Sequence, residues 1–278
     1  MTNTTRSFVC TVFLAGCALV SAHAQSVYEP FAYTVGGNLA GNTLGAAAWK
    51  SINSNAEPTI ASGNLSVAGL AAASGNSVTL PGGNHKEALF PFTTTPVSSG
   101  TLFYSFALNV STAPTAASYM FGLATGDTNY GATVWLQASG AGYQLGISNR
   151  SNATTTYAPT VYALGQTVFI VGSYTFNPGA GDDSSSLWIN PSAATFGDDA
   201  IPSATVTVTG GTDMTALSQF LIRGANGSPT GVFDELRVGT TWSEVTTAAA
   251  IPEPSTYAAL LGALALAGVV LRRRSRLA

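Results

Sequence analysis

Polar and apolar residues alternate over most of this 278-residue chain at the two-residue period of a half-buried β-strand. Leu102, Tyr104, Phe106, Leu108 and Val110 fall on one face of Thr101 to Val110, and Ala204, Val206 and Val208 alternate with Thr205, Thr207 and Thr209. Val168 to Val171 is apolar on both sides and runs on to Phe176, the pattern of a central strand covered on both faces. The same reading predicts strands over Ser66 to Leu70, Thr133 to Gln137, Tyr143 to Ser148, Ser186 to Ile189, Gln219 to Arg223 and Val232 to Val238. Turn signals separate them, among them Pro81-Gly82-Gly83-Asn84, Gly126-Asp127, Ser139-Gly140-Ala141-Gly142, Pro178-Gly179 and Gly210-Gly211. No long amphipathic helix interrupts the series. The expected fold is all-β, two packed antiparallel sheets in a jelly-roll sandwich.

The pattern changes at both ends. Arg6 precedes an apolar stretch from Phe8 to Val20, and Ala22-His23-Ala24 before Gln25 has the small-x-small form of a signal-peptidase site, so residues 1–24 read as a signal peptide. Leu14-Ala15-Gly16-Cys17 also resembles a lipobox, with Cys17 as a lipidated first residue. Cleavage after Ala24 is the favoured reading, because the apolar run continues through Ala18-Leu19-Val20 past the cysteine. At the other end, Ile251-Pro252-Glu253-Pro254-Ser255 leads into an apolar run, Tyr257 to Leu271, closed by Arg272-Arg273-Arg274-Ser275-Arg276. Fifteen helical residues reach about 22 Å, short of the roughly 30 Å hydrocarbon core of a bilayer. The transmembrane span is therefore marginal, and the arginines place its end on the cytoplasmic side, with the body outside. Pro252 and Pro254 fix φ and remove two amide donors, so the spacer is expected to be extended and open to a protease. This gives a body over 25–245, a linker over 246–256, a transmembrane segment over 257–271 and a basic tail over 272–278.

Composition sharpens the picture at two points. Both cysteines, Cys10 and Cys17, precede Gln25, so the mature body holds none, which excludes disulfides, thiolate catalysis and cysteine metal sites there. Half of the ten basic residues also sit in the two ends. The body carries Lys50, Lys86, Arg150, Arg223 and Arg237 against twelve carboxylates, an acidic and sparsely charged surface with no basic patch for a phosphate backbone. Its length suits one domain with one sizeable core.

The order of Pro-Glu-Pro spacer, short apolar run and basic cluster resembles the PEP-CTERM signal of bacterial proteins handled by exosortases. That resemblance implies an exosortase-type membrane protease as partner, with Pro252, Glu253, Pro254, Arg272, Arg273 and Arg274 as its residues of processing, beside the signal-peptidase site at Ala24 and Gln25. It also implies an inner-membrane-anchored intermediate that is then delivered to the cell surface or an extracellular matrix. Within the body, Glu29-Pro30-Phe31-Ala32-Tyr33, Leu187-Trp188-Ile189-Asn190-Pro191 and Phe233-Asp234-Glu235-Leu236-Arg237-Val238-Gly239-Thr240-Thr241-Trp242 resemble concanavalin A-like, laminin-G-type jelly rolls of secreted bacterial proteins. That likeness implies pairing of the first and last strands, Phe31 to Val35 beside Val232 to Val238.

Candidate chemistry is sparse. His85 is the one histidine after Ala24, in a polar turn that reads as surface, and no Gly-x-Ser-x-Gly elbow exists, so no catalytic residue is assigned. Asp234 and Glu235 are adjacent and, by alternation, face opposite ways, Asp234 with Leu236 and Val238 and Glu235 with Arg237; Asp234 is expected to satisfy loop amides. The Glu-x-Asp-x-x-Glu pattern of jelly-roll glucanases is absent. Asp182-Asp183 and Asp198-Asp199 supply hard oxygens for a possible calcium ion, weighed against solvated turns. Trp49, Trp135, Trp188, Trp242 and Tyr130 are candidate stacking platforms for a sugar, with Trp135, Trp188 and Tyr130 put forward, while most tryptophans of a sandwich are expected in the core. The expectation is a non-enzymatic surface or exopolysaccharide-matrix protein that binds a glycan. The rivals are a polysaccharide-degrading enzyme using an acid pair and a purely structural or adhesive subunit.

Overall fold

The computed structural model describes residues 26–53 and 55–250. The signal peptide, the Pro-Glu-Pro spacer, the transmembrane segment and the basic tail lie outside these residues. Among those described, no helix is long and apolar enough to cross a membrane.

Two eight-stranded antiparallel sheets form the sandwich. Sheet one contains β1 (Val27–Glu29), β5 (Thr59–Ala61), β6 (Ser77–Pro81), β8 (Gly100–Val110), β14 (Thr167–Phe176), β15 (Ser184–Ile189), β16 (Val206–Thr209) and β18 (Thr230–Gly239). Its order is β16-β15-β14-β8-β18-β6-β5, with β1 paired to β18. Sheet two contains β4 (Lys50–Ile52), β7 (Glu87–Pro91), β9 (Ser118–Thr125), β10 (Asn129–Ser139), β11 (Gly142–Arg150), β12 (Thr156–Tyr157), β13 (Tyr162–Ala163) and β17 (Gln219–Ile222). Here the order is β12-β11-β10-β9-β17-β7-β4, with β13 paired to β11. A small hairpin, β2 (Thr43–Leu44) and β3 (Ala47–Ala48), stands apart, and the one α-helix among the described residues is α1 (Trp242–Val245).

Alternation sorts the strands as the sequence predicts. Leu102, Tyr104, Phe106, Leu108 and Val110 of β8 all point into the main core. Phe106 meets Phe121 at 4.6 Å and Phe233 at 4.9 Å between ring centroids, joining the two sheets. Each such ring contributes about 1.5–3 kcal/mol by leaving water.

Two expectations are corrected. The first strand is Val27–Glu29, in register with Val238 to Leu236, and not Phe31 to Val35. Pro30 has no amide to donate and Phe31 sits at φ 51, so the chain turns there, with the Phe31 amide bonded to buried Glu29 Oε1 at 2.8 Å. Ser66 to Leu70 forms no strand; it crosses the outside of sheet one as a loop, bridging only from Leu70 to Ala248. That bridge and an Ala249 N–H to Gly69 C=O bond of 2.9 Å also carry the ordered body past residue 245, into the stretch read as linker.

The covering of sheet one makes a second core. Phe103, Phe169, Val171 and Trp188 alternate with interior residues and so point outward, where Leu70, Phe196, Trp242 and Val245 close over them. Helix α1 is held by a capping box, in which the Thr241 side chain accepts from the Glu244 amide and the Glu244 side chain accepts from Thr241 N–H.

Candidate functional site

The outer face of sheet two carries a thinner layer. Its buried apolar cluster is Leu89, Ala124, Tyr130 and Leu221, with Ile52 and Tyr119 packed alongside. Trp135 of β10 lies between the core residues Val134 and Leu136 in sequence and therefore points outward, directly opposite Tyr119 of β9. The two rings are 5.3 Å apart, and Tyr119 is 5.9 Å from Tyr130. Trp135 Nε1 donates to Ser148 Oγ at 2.7 Å and lies 3.2 Å from Thr133 Oγ1; these two hydroxyls are buried and bonded to each other. The polar edge of the indole is thus satisfied from within the sheet, and what a half-buried Trp135 offers to solvent is apolar ring.

Polar groups flank the rings. The Arg223 guanidinium stacks 4.1 Å from the Tyr119 centroid and its Nε lies 2.9 Å from Glu87 Oε1, a close ion pair in which the N–H is not aimed along the contact. Tyr130 donates to Glu87 Oε2 at 3.2 Å and to the Asp127 carbonyl. Burial, reinforced by the Glu87 charge, raises the Tyr130 hydroxyl above its ordinary range, and burial also raises Tyr119 despite Arg223, so both phenols stay protonated. Beyond Trp135, Gln137 Nε2 donates to Gln144 Oε1 at 3.1 Å. The patch combines exposed aromatic surface, amides and one cation offset by one carboxylate.

Of the platform residues expected from sequence, Trp135 and Tyr130 come together here, but only Trp135 offers a ring. Tyr130 is 6 % exposed and supports Tyr119 from beneath. Trp188 is withdrawn from the platform altogether: it is 5 % exposed, 5.2 Å from Trp242 in the second core, and its Nε1 donates to the Pro202 carbonyl. Trp49 and Trp242, also candidates from sequence, are core. Tyr119, Arg223 and Glu87 were not anticipated. Tyr119 opens a strand, Ser118–Thr125, that is apolar on both faces, so periodicity did not mark which of its side chains faces out.

Asp182 and Asp183 do meet a third acid, but it is Asp213 and not the Asp198-Asp199 pair, which is exposed and joined by no other carboxylate among the described residues. The side-chain oxygens of Asp182, Asp183 and Asp213 lie within 4.8 Å of one another. Asp183 accepts from Tyr174 Oη at 2.6 Å and Asn177 N–H at 2.7 Å; Asp213 accepts from Gly181 N–H at 2.5 Å and Asp183 N–H at 3.2 Å; Asp182 accepts from Gly179 N–H at 3.1 Å. The donor set is one of hard oxygens, yet both oxygens of Asp183 and both of Asp213 already accept from protein donors. The acids brace the β14-β15 turn.

Two further groups differ from expectation. His85 is fully buried, not on the surface: Nδ1 is 2.7 Å from the Lys86 carbonyl, Nε2 has no partner, and burial lowers its pKa. Asp234 accepts from Leu65 N–H and Glu235 N–H, each at 2.7 Å, as anticipated for loop amides. Its face, however, is reversed. A bulge between Asp234 and Arg237, with Glu235 at φ 59, puts Phe233 and Leu236 both inward and turns Asp234 toward the covering loop. Burial pushes Asp234 up to about 7. Glu235 pairs with Arg237 at 2.7 Å, both buried, and Tyr28 donates to Glu235 at 2.6 Å while its ring stacks on Arg237.

These features define an all-β sandwich of two antiparallel sheets. Among solved structures, a mutant of alginate lyase Aly36B in complex with alginate trisaccharide matches with 12 % identity and a TM-score of 0.50, over 78 % of this chain and 99 % of that one. Domain 4 of AbnA, a GH43 extracellular arabinanase from Geobacillus stearothermophilus bound to arabinotriose, matches at 17 % identity and TM-score 0.40, covering 72 % and 86 %. A heptameric SAP-like pentraxin from Limulus polyphemus matches at 18 % and 0.41, covering 62 % and 80 %. At these identities the likeness is one of fold. No curated protein matches in sequence. The chain carries the PEP-CTERM protein-sorting motif at residues 250–274, which implies export, processing by an exosortase and C-terminal sorting to the cell surface.

Proposed function

We propose that the exported body is a non-enzymatic glycan-binding module of the cell surface or exopolysaccharide matrix, with Trp135 and Tyr119 as its sugar platform and Gln137, Gln144 and Arg223 at the margins. The observation that carries this reading is the indole of Trp135, whose polar edge is spent on Ser148 while its apolar ring stands out from a sheet. Flat apolar rings with nearby hydrogen-bonding groups suit pyranose faces, and the pairing of Arg223 with Glu87 favours a neutral chain over a charged one. The non-enzymatic reading is supported by the placement of Asp234 and Glu235, which are 0 % and 2 % exposed and have their oxygens engaged by the protein.

The test is affinity electrophoresis and calorimetry against neutral and uronic-acid polysaccharides. Trp135→Ala is expected to weaken binding to a neutral glycan by about tenfold or more, near 1.4 kcal/mol, with the circular dichroism spectrum unchanged. Undiminished binding by that variant, or no binding to any polysaccharide by the parent, would remove the proposal.

A further inference from the structure

The chain leaves the ordered body on the opposite side from the aromatic patch. Trp242 and Val245 pack in the second core, Ser105 Oγ donates to the Val245 carbonyl at 2.6 Å, Ala248 bridges Leu70, and Ala249 bonds to Gly69. All of these lie on the outer face of sheet one. Trp135 and Tyr119 lie on the outer face of sheet two. The sheets of a sandwich are about 10 Å apart, and each here carries a further layer of side chains outside. Between the last described residue, Ala250, and the apolar run at Tyr257 there are six residues, which reach at most about 20 Å when fully extended. That length does not carry the body around its own thickness.

The geometry points to a fixed orientation of the anchored form: the loop 62–76, α1 and the Ala193–Thr195 turn face the membrane, and the aromatic patch faces away from it, open to glycan before the tail is removed. This rests on the tail acting as a membrane segment and, for its use, on the glycan reading above. Binding and processing are then compatible, because the partner of the spacer and the partner of the patch approach from opposite sides. A matrix polymer can be captured by the anchored precursor and carried with the body on release.

The experiment uses the full chain carrying Cys10→Ser and Cys17→Ser, reconstituted in vesicles containing a headgroup-quencher lipid, with a single cysteine at Ala194→Cys, exposed on the sheet-one side, or at Gln137→Cys, on the patch; the chain without either added cysteine is the blank. A fluorophore on Ala194→Cys is expected to be strongly quenched and one on Gln137→Cys nearly unquenched. Equal quenching, or the reverse order, would overturn the orientation whether or not any glycan binds. In parallel, vesicle-bound chain and chain released from its tail are expected to bind a neutral polysaccharide within about twofold of each other. Binding only after release would defeat the inference and leave the glycan reading intact, whereas absence of binding in both, with the quenching order as expected, would defeat the glycan reading alone.

Discussion

The two outer faces of the sandwich began from the same alternating pattern and were finished differently. On sheet one, outward Phe103, Phe169, Val171 and Trp188 are roofed by a loop, a turn and a one-turn helix, so that a second core forms. On sheet two, outward Trp135 and Tyr119 are left at the surface above a small cluster of four buried residues. The same type of residue, tryptophan flanked by core positions in a strand, is structural on one face and available on the other. What decides is whether a segment elsewhere in the chain lies across it, and that is a property of tertiary structure and not of the strand.

The contrast can be broken most directly from the roofed side. Trp242→Ala removes a ring that is 1 % exposed and packed on Trp188, and is expected to cost about 3–5 kcal/mol in urea unfolding while leaving glycan affinity unchanged in the folded fraction. An effect below about 1 kcal/mol would mean the roof is not a core. Next in size is Asp234, which clasps Leu65 of the same roof. Its carboxyl is raised from 3.8 to about 7, so the stability it contributes is fully present below pH 3.8 and is lost as pH rises through about 7. Asp234→Asn does not titrate, so between pH 4 and 8 it should gain on the parent by up to roughly 4 kcal/mol, read from paired unfolding curves. A difference that stays constant with pH would show that Asp234 is not the titrating group. Buried His85 works in the other sense: its lowered pKa makes the unfolded chain the better proton acceptor, and stability falls as pH drops through 6.5.

On the open side the expected effects on stability are small. Lys50→Ala breaks an exposed ion pair with Asp127, 2.7 Å long but with both side chains about half exposed, and should change stability by less than about 0.5 kcal/mol. A larger loss would mean that this rim is more rigid than its exposure suggests.

Much of the interior was legible because it needs only a two-residue period: β8, β14 and β18 were found where Leu102 to Val110, Val168 to Phe176 and Val232 to Val238 predict them. The roof was not. Val67 and Leu70 present apolar residues to a neighbour whether that neighbour is a strand or the face of a sheet, and spacing does not separate the two cases. The reversal of Asp234 has a similar origin, since one extra residue in a bulge shifts every later side chain to the other face. Asp213 joined Asp182 and Asp183 from 30 residues away, through a turn that no local motif announces. The patch itself was half visible: Trp135 stood among Thr133 and Gln137 on a polar face, but Tyr119 and Arg223 reach it only through the order β10-β9-β17.

The pairing of β1 with β18 has a consequence in time. Tyr28 and Glu235, bonded in the finished body, are separated by 207 positions. A chain that emerges from the N-terminus first carries Val27–Glu29 without a partner until nearly all of the body has followed, because the residues that receive it are among the last to appear. Sheet one therefore closes late, as contacts between distant parts of a chain must. Closure of the sandwich and arrival of the sorting tag therefore fall close together.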